Sequence, residues 1–171
     1  MKEIITNENN LKETDMTEVV KRVKIMLVNS NNELLLAYSH NDYQFPGGHV
    51  EENETLNETV KREILEETGI ELLEDSFEAF TCGLGYYKDW PSEGKNRKIE
   101  IYYYCIKTDK LPNIDNTNYT DHEKEGNFKL EYIKFDEVEK VLLENAKLYG
   151  DKRGITKEML KIFNIYKEIE Q

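Results

Sequence analysis

The sequence predicts an α/β protein in which a mixed β-sheet is covered by helices. Strand-like apolar runs occur among helix-like stretches, but without the regular strand–helix–strand rhythm of a parallel sheet. No long-period repeat and no shift in composition marks a second domain. At 171 residues the chain has the length of one domain with a sizeable core. We therefore expect a single domain over residues 16–171, preceded by residues 1–15 as a loose polar arm or an added edge element.

The individual elements follow from composition and from local start and stop signals. Two apolar runs on either side of Asn29–Asn32 predict a β-hairpin. Thr55 and Glu58 have the spacing of a capping box, which starts a helix, and Gly69 ends it. The predicted elements are, in order, strands at Glu18–Val28 and Leu34–Tyr38, a loop at Asn41–Glu52, a helix from Thr55 to Gly69, strands at Phe77–Tyr87 and Ile99–Lys107, a long loop at Thr108–Asn127, a strand at Phe128–Phe135, and helices at Glu137–Leu148 and Thr156–Ile169.

The composition limits the partners that the protein can have. A net charge of −12 disfavours nucleic acid and anionic membrane surfaces, and it also repels a phosphate substrate unless a cation attracts it. Cys82 and Cys105 form neither a disulfide framework nor a metal knuckle. From this charge we expect a protein that binds neither nucleic acid nor membrane. Because we find no signal peptide and no membrane-length apolar stretch, we also expect it to be cytoplasmic.

The predicted helix carries acidic residues on its buried side. At about 100° per residue, with Val60 at the centre of the apolar stripe, Glu67 lies about 20° and Glu63 about 60° away, and Glu66 lies on the adjoining flank. These carboxylates repel one another, and Arg62 alone does not neutralise three of them. Oxygen ligands grouped in this way suit Mg²⁺ or Mn²⁺. By spacing alone, a glutamate-rich surface helix is an equally good interpretation.

The same stretch resembles the Nudix box, which covers residues 48–70. The box reads Gly, five residues, Glu, seven residues, then Arg-Glu-aliphatic-any-Glu-Glu-any-Gly-aliphatic. Every position of it is present: Gly48, Glu54, Arg62, Glu63, Ile64, Glu66, Glu67, Gly69 and Ile70. The resemblance implies an α/β/α sandwich with the box as a catalytic loop–helix–loop at the edge of the sheet. It also implies a pyrophosphohydrolase that cleaves a nucleoside diphosphate linked to another group.

The resemblance implies a role for each acidic residue of the box. The carbonyl of Gly47, Glu66 and Glu67 would be ligands of Mg²⁺ or Mn²⁺. Glu63 would be either a further ligand or the base that activates water, and Arg62 would orient its neighbours. In such enzymes the metal polarises the phosphorus centre and stabilises the leaving phosphate.

Two further acidic positions are implied outside the helix. Glu54 would support the site from the loop before the helix. A last acidic ligand is expected in the loop before the final strand, where we favour Glu125 over Glu123. The alternative is that both loop acids are only solvated.

The substrate is less constrained than the chemistry. Tyr86 and Tyr87 would stack on a base if the protein acted on dinucleoside polyphosphates, although chance placement in a strand also explains them. Tyr43 and Trp90 are further candidates for stacking at the mouth of the cleft. A nucleoside triphosphate, a nucleotide sugar and a dinucleoside polyphosphate all remain open as substrates, and the protein is expected to be a monomer or a homodimer. A non-catalytic domain that senses a nucleotide and regulates a partner is the alternative, but such domains commonly lose box glutamates.

Overall fold

The computed structural model of the chain describes residues 1–151 and 153–170. Within these ranges, no helix is both long enough and apolar enough to cross a membrane. The elements are β1 (Lys2–Thr6), β2 (Glu18–Val28), β3 (Glu33–Ser39), β4 (Asp42–Gln44), α1 (Leu56–Thr68), β5 (Ala79–Tyr87), β6 (Arg97–Lys107), α2 (Asp121–Glu125), β7 (Lys129–Lys134), α3 (Val138–Tyr149) and α4 (Ile155–Glu170), with short 3₁₀ turns at Glu13–Asp15 and Ile114–Asn116.

The strands form one mixed sheet, as the sequence predicts. Its order is β1-β5-β6-β2-β3-β4, and β7 also pairs with β3. The β1–β5 and β2–β6 pairs are parallel, whereas the other pairs are antiparallel. The predicted hairpin is confirmed by the antiparallel pairing of β2 with β3.

Helices cover both faces of this sheet. Successive side chains of a strand point to opposite faces, so β2 contributes to two separate cores. Val23 and Ile25 pack in a cluster with Val60 of α1. Met26 packs on the other face in a cluster with Phe163 of α4. The predicted α/β/α sandwich is therefore confirmed.

Of the two alternatives for residues 1–15, the structure shows the added edge element, because β1 pairs beside β5 with Ile4 opposite Gly83. Two short elements differ from the sequence prediction, since β4 and α2 lie inside segments predicted as loops. Helix α2 is started by Thr120, whose hydroxyl and backbone exchange hydrogen bonds with Glu123. Elements of three or five residues are too short to show a hydrophobic period.

The loop that follows β4 runs along the edge of β2. The N–H of Ile25 donates to the carbonyl of Pro46 at 2.8 Å, and the N–H of Val23 donates to that of Gly48 at 3.0 Å. These bonds insert the glycine loop between β2 and α1. The fold thereby brings the loop backbone, the helix and the polar face of β2 into one place.

Candidate active site

Helix α1 is fixed at both ends by the signals that predict it. The hydroxyl of Thr55 accepts from the N–H of Glu58 at 3.2 Å, and the carboxylate of Glu58 accepts from the N–H of Thr55 at 2.8 Å. Gly69 adopts a left-handed conformation with φ of 70° and closes the last turn. With its ends fixed, the helix places Glu63 and Glu67 on its buried side, each only 8% exposed.

Arg62 organises the acidic residues around it. It donates to both carboxylate oxygens of Glu54, at 2.8 and 2.9 Å. It also donates to Glu63 at 2.8 Å, to Glu66 at 3.2 Å and to the carbonyl of His49 at 2.8 Å. The guanidinium lowers the pKa of the Glu54 carboxyl to about 2. Arg62 therefore holds the box carboxylates in place and ties them to the preceding loop.

Glu67 is one of the two buried acids of the helix. Its Oε2 accepts from the N–H of Gly47 at 3.0 Å. Burial raises its pKa to about 8, and the charge of Glu63 acts in the same direction, against the attraction of Lys24. Burial also raises the pKa of Glu63 and lowers that of the half-buried Lys24. The site thus keeps mutually repelling carboxylates in a poorly solvated place, at a cost in their ionisation.

Both glycines of the loop are required by close approach. A side chain at Gly48 would overlap the carboxylate of Glu63, and one at Gly47 would overlap the carbonyl oxygen of Val23. Gly47 also has φ of 136°, which other residues rarely adopt. The turn directs its carbonyl into the site, where the ammonium of Lys24 donates to it at 3.3 Å.

These groups line one cleft of about 510 Å³. Acidic side chains of α1 and Glu123 of α2 form part of its wall, and basic side chains form another part. Besides Arg62, the basic residues are Arg22, Lys24 and Arg153. Sequence reasoning missed them, although Arg22 and Lys24 are two residues apart in the predicted strand Glu18–Val28, and such residues share one face of a sheet. The cleft can therefore hold a cation and the phosphates that the cation attracts.

Five of the predicted site residues meet in this cleft. Gly47, Arg62, Glu63, Glu66 and Glu67 all line it, and Glu54 supports it through Arg62.

The loop acids differ from the expectation. Glu125 is exposed and is not among the residues that line the cleft, whereas Glu123 is half-buried and lines it. The physical reason is α2, in which two residues of separation turn a side chain by about 200° around the helix. The structure therefore brings Glu123, rather than Glu125, to the carboxylate cluster.

None of the four aromatic candidates lines the cleft. Tyr43 donates its hydroxyl to Glu131 at 2.9 Å, and Tyr86 donates to Glu13. Tyr87 and Trp90 lie against each other, with ring centroids 5.9 Å apart, and Tyr87 lines a second cavity beside the cleft. The positions of these four residues therefore do not support the stacking of a base on them within the cleft.

The oxygen atoms of the cleft are of the kind that binds a hard divalent cation, but their present arrangement does not form a binding site for one. In the ranges that the structure describes, no three His, Cys, Asp or Glu side chains converge as a metal-binding group. Arg62 holds oxygens of Glu63 and Glu66, while the N–H of Gly47 holds an oxygen of Glu67. Carboxylate and carbonyl oxygens are the ligands that Mg²⁺ and Mn²⁺ prefer. Metal binding here therefore requires side-chain rotations that exchange these hydrogen bonds for the cation.

Comparison with known proteins agrees with the fold and with the box. The model of the NUDIX domain family matches residues 19–158, which include the whole box. A protein of Buchnera aphidicola subsp. Schizaphis graminum, named 8-oxo-dGTP diphosphatase, is 33% identical over 88 residues. That match covers 52% of this chain and 57% of the Buchnera protein, so the chain spans little more than half the length of this relative.

Two solved structures illustrate the similarity of the fold. An Ap4A hydrolase from C. elegans, in a binary complex, has a TM-score of 0.52 and 15% identity over 88% of this chain and 96% of its own. A MutT protein from Bacillus halodurans has a TM-score of 0.50 and 24% identity over 71% of this chain and 72% of its own. At these identities the likeness concerns the fold alone.

Proposed function

The chain belongs to the Nudix family, and we propose that it is a pyrophosphohydrolase that uses Mg²⁺ or Mn²⁺ to cleave a nucleoside diphosphate linked to another group. The observation that carries this proposal is the meeting of Glu63, Glu66 and Glu67 in one cleft with Arg22 and Lys24. Acids held together, with burial raising the pKa of Glu63 and Glu67, suit a cation, and nearby basic side chains suit the phosphates. A purely structural helix gains nothing from this arrangement.

Each residue has a defined part in this proposal. Glu66, Glu67 and the carbonyl of Gly47 hold the cation, and Glu123 joins them because it lines the same cleft. Glu63 is either a further ligand or the base that takes a proton from the attacking water. When bound, the cation polarises the phosphorus centre and stabilises the leaving phosphate.

The remaining parts of the site are the basic residues of β2 and the two box residues that position the carboxylates. Lys24 and Arg22 attract and orient the phosphates of the substrate, which the whole-protein charge of −12 otherwise repels. Arg62 positions Glu63 and Glu66, and Glu54 holds Arg62. Glu54 and Arg62 therefore act on the rate through the geometry of the carboxylates.

A small nucleotide is the proposed substrate. The name of the Buchnera relative points to a nucleoside triphosphate, and that of the C. elegans neighbour to a dinucleoside polyphosphate. Both contain the phosphoric anhydride bond that the cleft is suited to cleave. We expect the protein to act in the cytoplasm, as a monomer or a homodimer, without nucleic acid or membrane.

A substrate screen tests the proposal. Purified protein is incubated with Mg²⁺ and a panel that includes dGTP, dATP, a nucleotide sugar and a diadenosine polyphosphate, and the products are resolved by ion-exchange chromatography. We expect turnover of at least one compound, loss of turnover in excess EDTA, and its recovery with Mg²⁺ or Mn²⁺. Binding without turnover of any compound would favour the nucleotide-sensing alternative.

A further inference from the structure

A second cavity, of about 310 Å³, lies between α4 and the sheet face formed by β1, β5 and β6. Gly83 and Gly85 lie on its floor, two residues apart on the same face of β5. Their neighbours across the sheet are Ile101 and Ile99, which line the cavity too. A side chain at Gly85 would overlap the ring of Tyr87, which lies over this glycine. The cavity is therefore lined by glycine backbone, apolar side chains and the rings of Tyr87 and Tyr103, which suit a planar ligand.

One anchored carboxylate lines this cavity. The buried Tyr103, 2% exposed, donates its hydroxyl to Oε1 of Glu158 at 2.8 Å. This hydrogen bond occupies Oε1 and leaves Oε2 of Glu158 to a ligand. The exposed Lys157 and Lys161 line the cavity on the same helix. An ionised carboxylate only accepts hydrogen bonds, so Glu158 offers a fixed acceptor to a ligand with N–H groups.

The cavity and the catalytic cleft are two parts of one sheet surface. In the parallel pairing of β2 with β6, Arg22 is opposite Ile101 and Lys24 is opposite Tyr103. The basic residues of the cleft therefore continue the floor of the cavity. The charge of Glu158 acts on both Arg22 and Lys24, raising the pKa of each against the larger effect of burial. Phosphates are attracted to this basic pair and repelled by Glu158, so the cavity receives the uncharged end of a nucleotide.

We propose that this cavity binds the base of the nucleotide substrate and that Glu158 selects a guanine-type base, oxidised or not. This inference rests on the proposed function. Guanine presents two adjacent donors, N1–H and the 2-amino group, which suit a carboxylate. Adenine presents an acceptor, N1, beside its single amino donor, and that acceptor is repelled by a carboxylate. Reading of a base edge by hydrogen bonds within a stacking pocket is a general mode of recognition.

The test compares kcat/KM for dGTP and dATP in wild type, in Glu158→Gln and in Glu168→Gln. Glu168 is an exposed acid of the same helix and serves as the matched control. We expect wild type to prefer dGTP and Glu158→Gln to lower kcat/KM for dGTP by about 10- to 100-fold, as the loss of a bidentate base contact does. The value for dATP should change less than about 3-fold, and Glu168→Gln should behave as wild type.

Tyr103 is the positioning residue in this account. Tyr103→Phe removes the hydroxyl that fixes Glu158 and leaves the ring in the core. The ratio of kcat/KM between dGTP and dATP should fall by about 3- to 10-fold, mainly through KM for dGTP. A merely structural loss would instead lower the values for both nucleotides together.

Calorimetric titration with dGMP and dAMP separates this inference from the proposed function, because it needs no turnover. Tighter binding of dGMP that depends on Glu158, in a protein that hydrolyses nothing, would support the base site and overturn the hydrolase. Hydrolysis with the same dGTP-to-dATP ratio in wild type and Glu158→Gln would overturn the base site alone. A wild-type preference for dATP would overturn it as well.

Discussion

The cleft beside α1 and the cavity under α4 are neighbours, yet they are built in different ways. The box residues come from one stretch, residues 48–70, and crowd several charges into one cleft. The cavity is assembled from β1, β5, β6 and α4 and has a mainly apolar floor with one anchored carboxylate. In the cleft, the positions of the side chains are fixed locally by helix caps and glycines. In the cavity, they depend on the register of the strands. The comparison suggests that reaction chemistry is encoded in a short motif, while substrate choice is encoded in the tertiary structure.

The largest expected effect is the loss of a box carboxylate. Glu67→Gln should lower turnover of every nucleotide by about 10³-fold, because it removes a proposed cation ligand. Its metal-free stability should stay level or rise by about 0.5–2 kcal/mol. Burial raises the pKa of Glu67 and so disfavours its charged form, and Gln has nearly the same shape as the protonated acid.

The measurement is a pair of urea melts in EDTA beside a rate assay. Glu71→Gln, an exposed acid two residues after Gly69, is the matched control. A marked loss of metal-free stability with turnover largely retained would make Glu67 a packing residue.

Lys24 tests whether the two regions share a phosphate site. Lys24→Met should lower kcat/KM by about 10²-fold for dGTP and dATP alike, because the ammonium acts on phosphates, whichever base is present. Lys61→Met, which changes a partly exposed lysine of α1, is the control. An effect of Lys24→Met on only one of the two nucleotides would contradict the division of the surface into phosphate and base parts.

The two acids of α2 sharpen the description of the cleft. Glu123→Gln should lower turnover by about 10-fold, since Glu123 lines the cleft and contacts that tune a metal site have effects of this order. Glu125→Gln should change it by less than about 2-fold, because this side chain is exposed. The reverse order would restore the assignment favoured by sequence alone.

The smallest effect concerns pH and the support of the helix. Arg62 holds the pKa of Glu54 at about 2, below its ordinary value of 4.5. The interaction therefore stabilises the fold fully above pH 4.5 and is lost as the pH falls towards 2. Glu54→Gln should lower Tm by about 2–4 °C at pH 7, and the difference from wild type should shrink below pH 4.5. A Tm difference that stays constant from pH 7 to pH 3 would exclude this ion pair as its source.

The site could be predicted from the sequence only where its determinants are local. Thr55, Glu58 and Gly69 fix the helix, so the positions of Glu63 and Glu67 follow from helical period alone. The order of strands and helices also suffices to predict the fold class, because the apolar runs that indicate the strands are long.

The remaining features depend on contacts between distant segments. Arg22 and Lys24 belong to the site only because the loop at residues 45–50 lies along β2. Glu158 meets Tyr103 across 55 positions of the chain, and no local pattern connects them. Glu123 is an exception among these distant contacts, because a local signal predicts its helix. Its spacing from Thr120 is that of a capping box, which starts α2.

The most direct test of the central claim is the affinity of the carboxylate cluster for a cation, measured without substrate. Free Mn²⁺ is followed by electron paramagnetic resonance while wild type, Glu67→Gln and Glu71→Gln are titrated at equal concentration. We expect wild type and Glu71→Gln to bind Mn²⁺ alike and Glu67→Gln to bind it at least about 10-fold more weakly. Equal Mn²⁺ binding by all three proteins would contradict a metal site at α1.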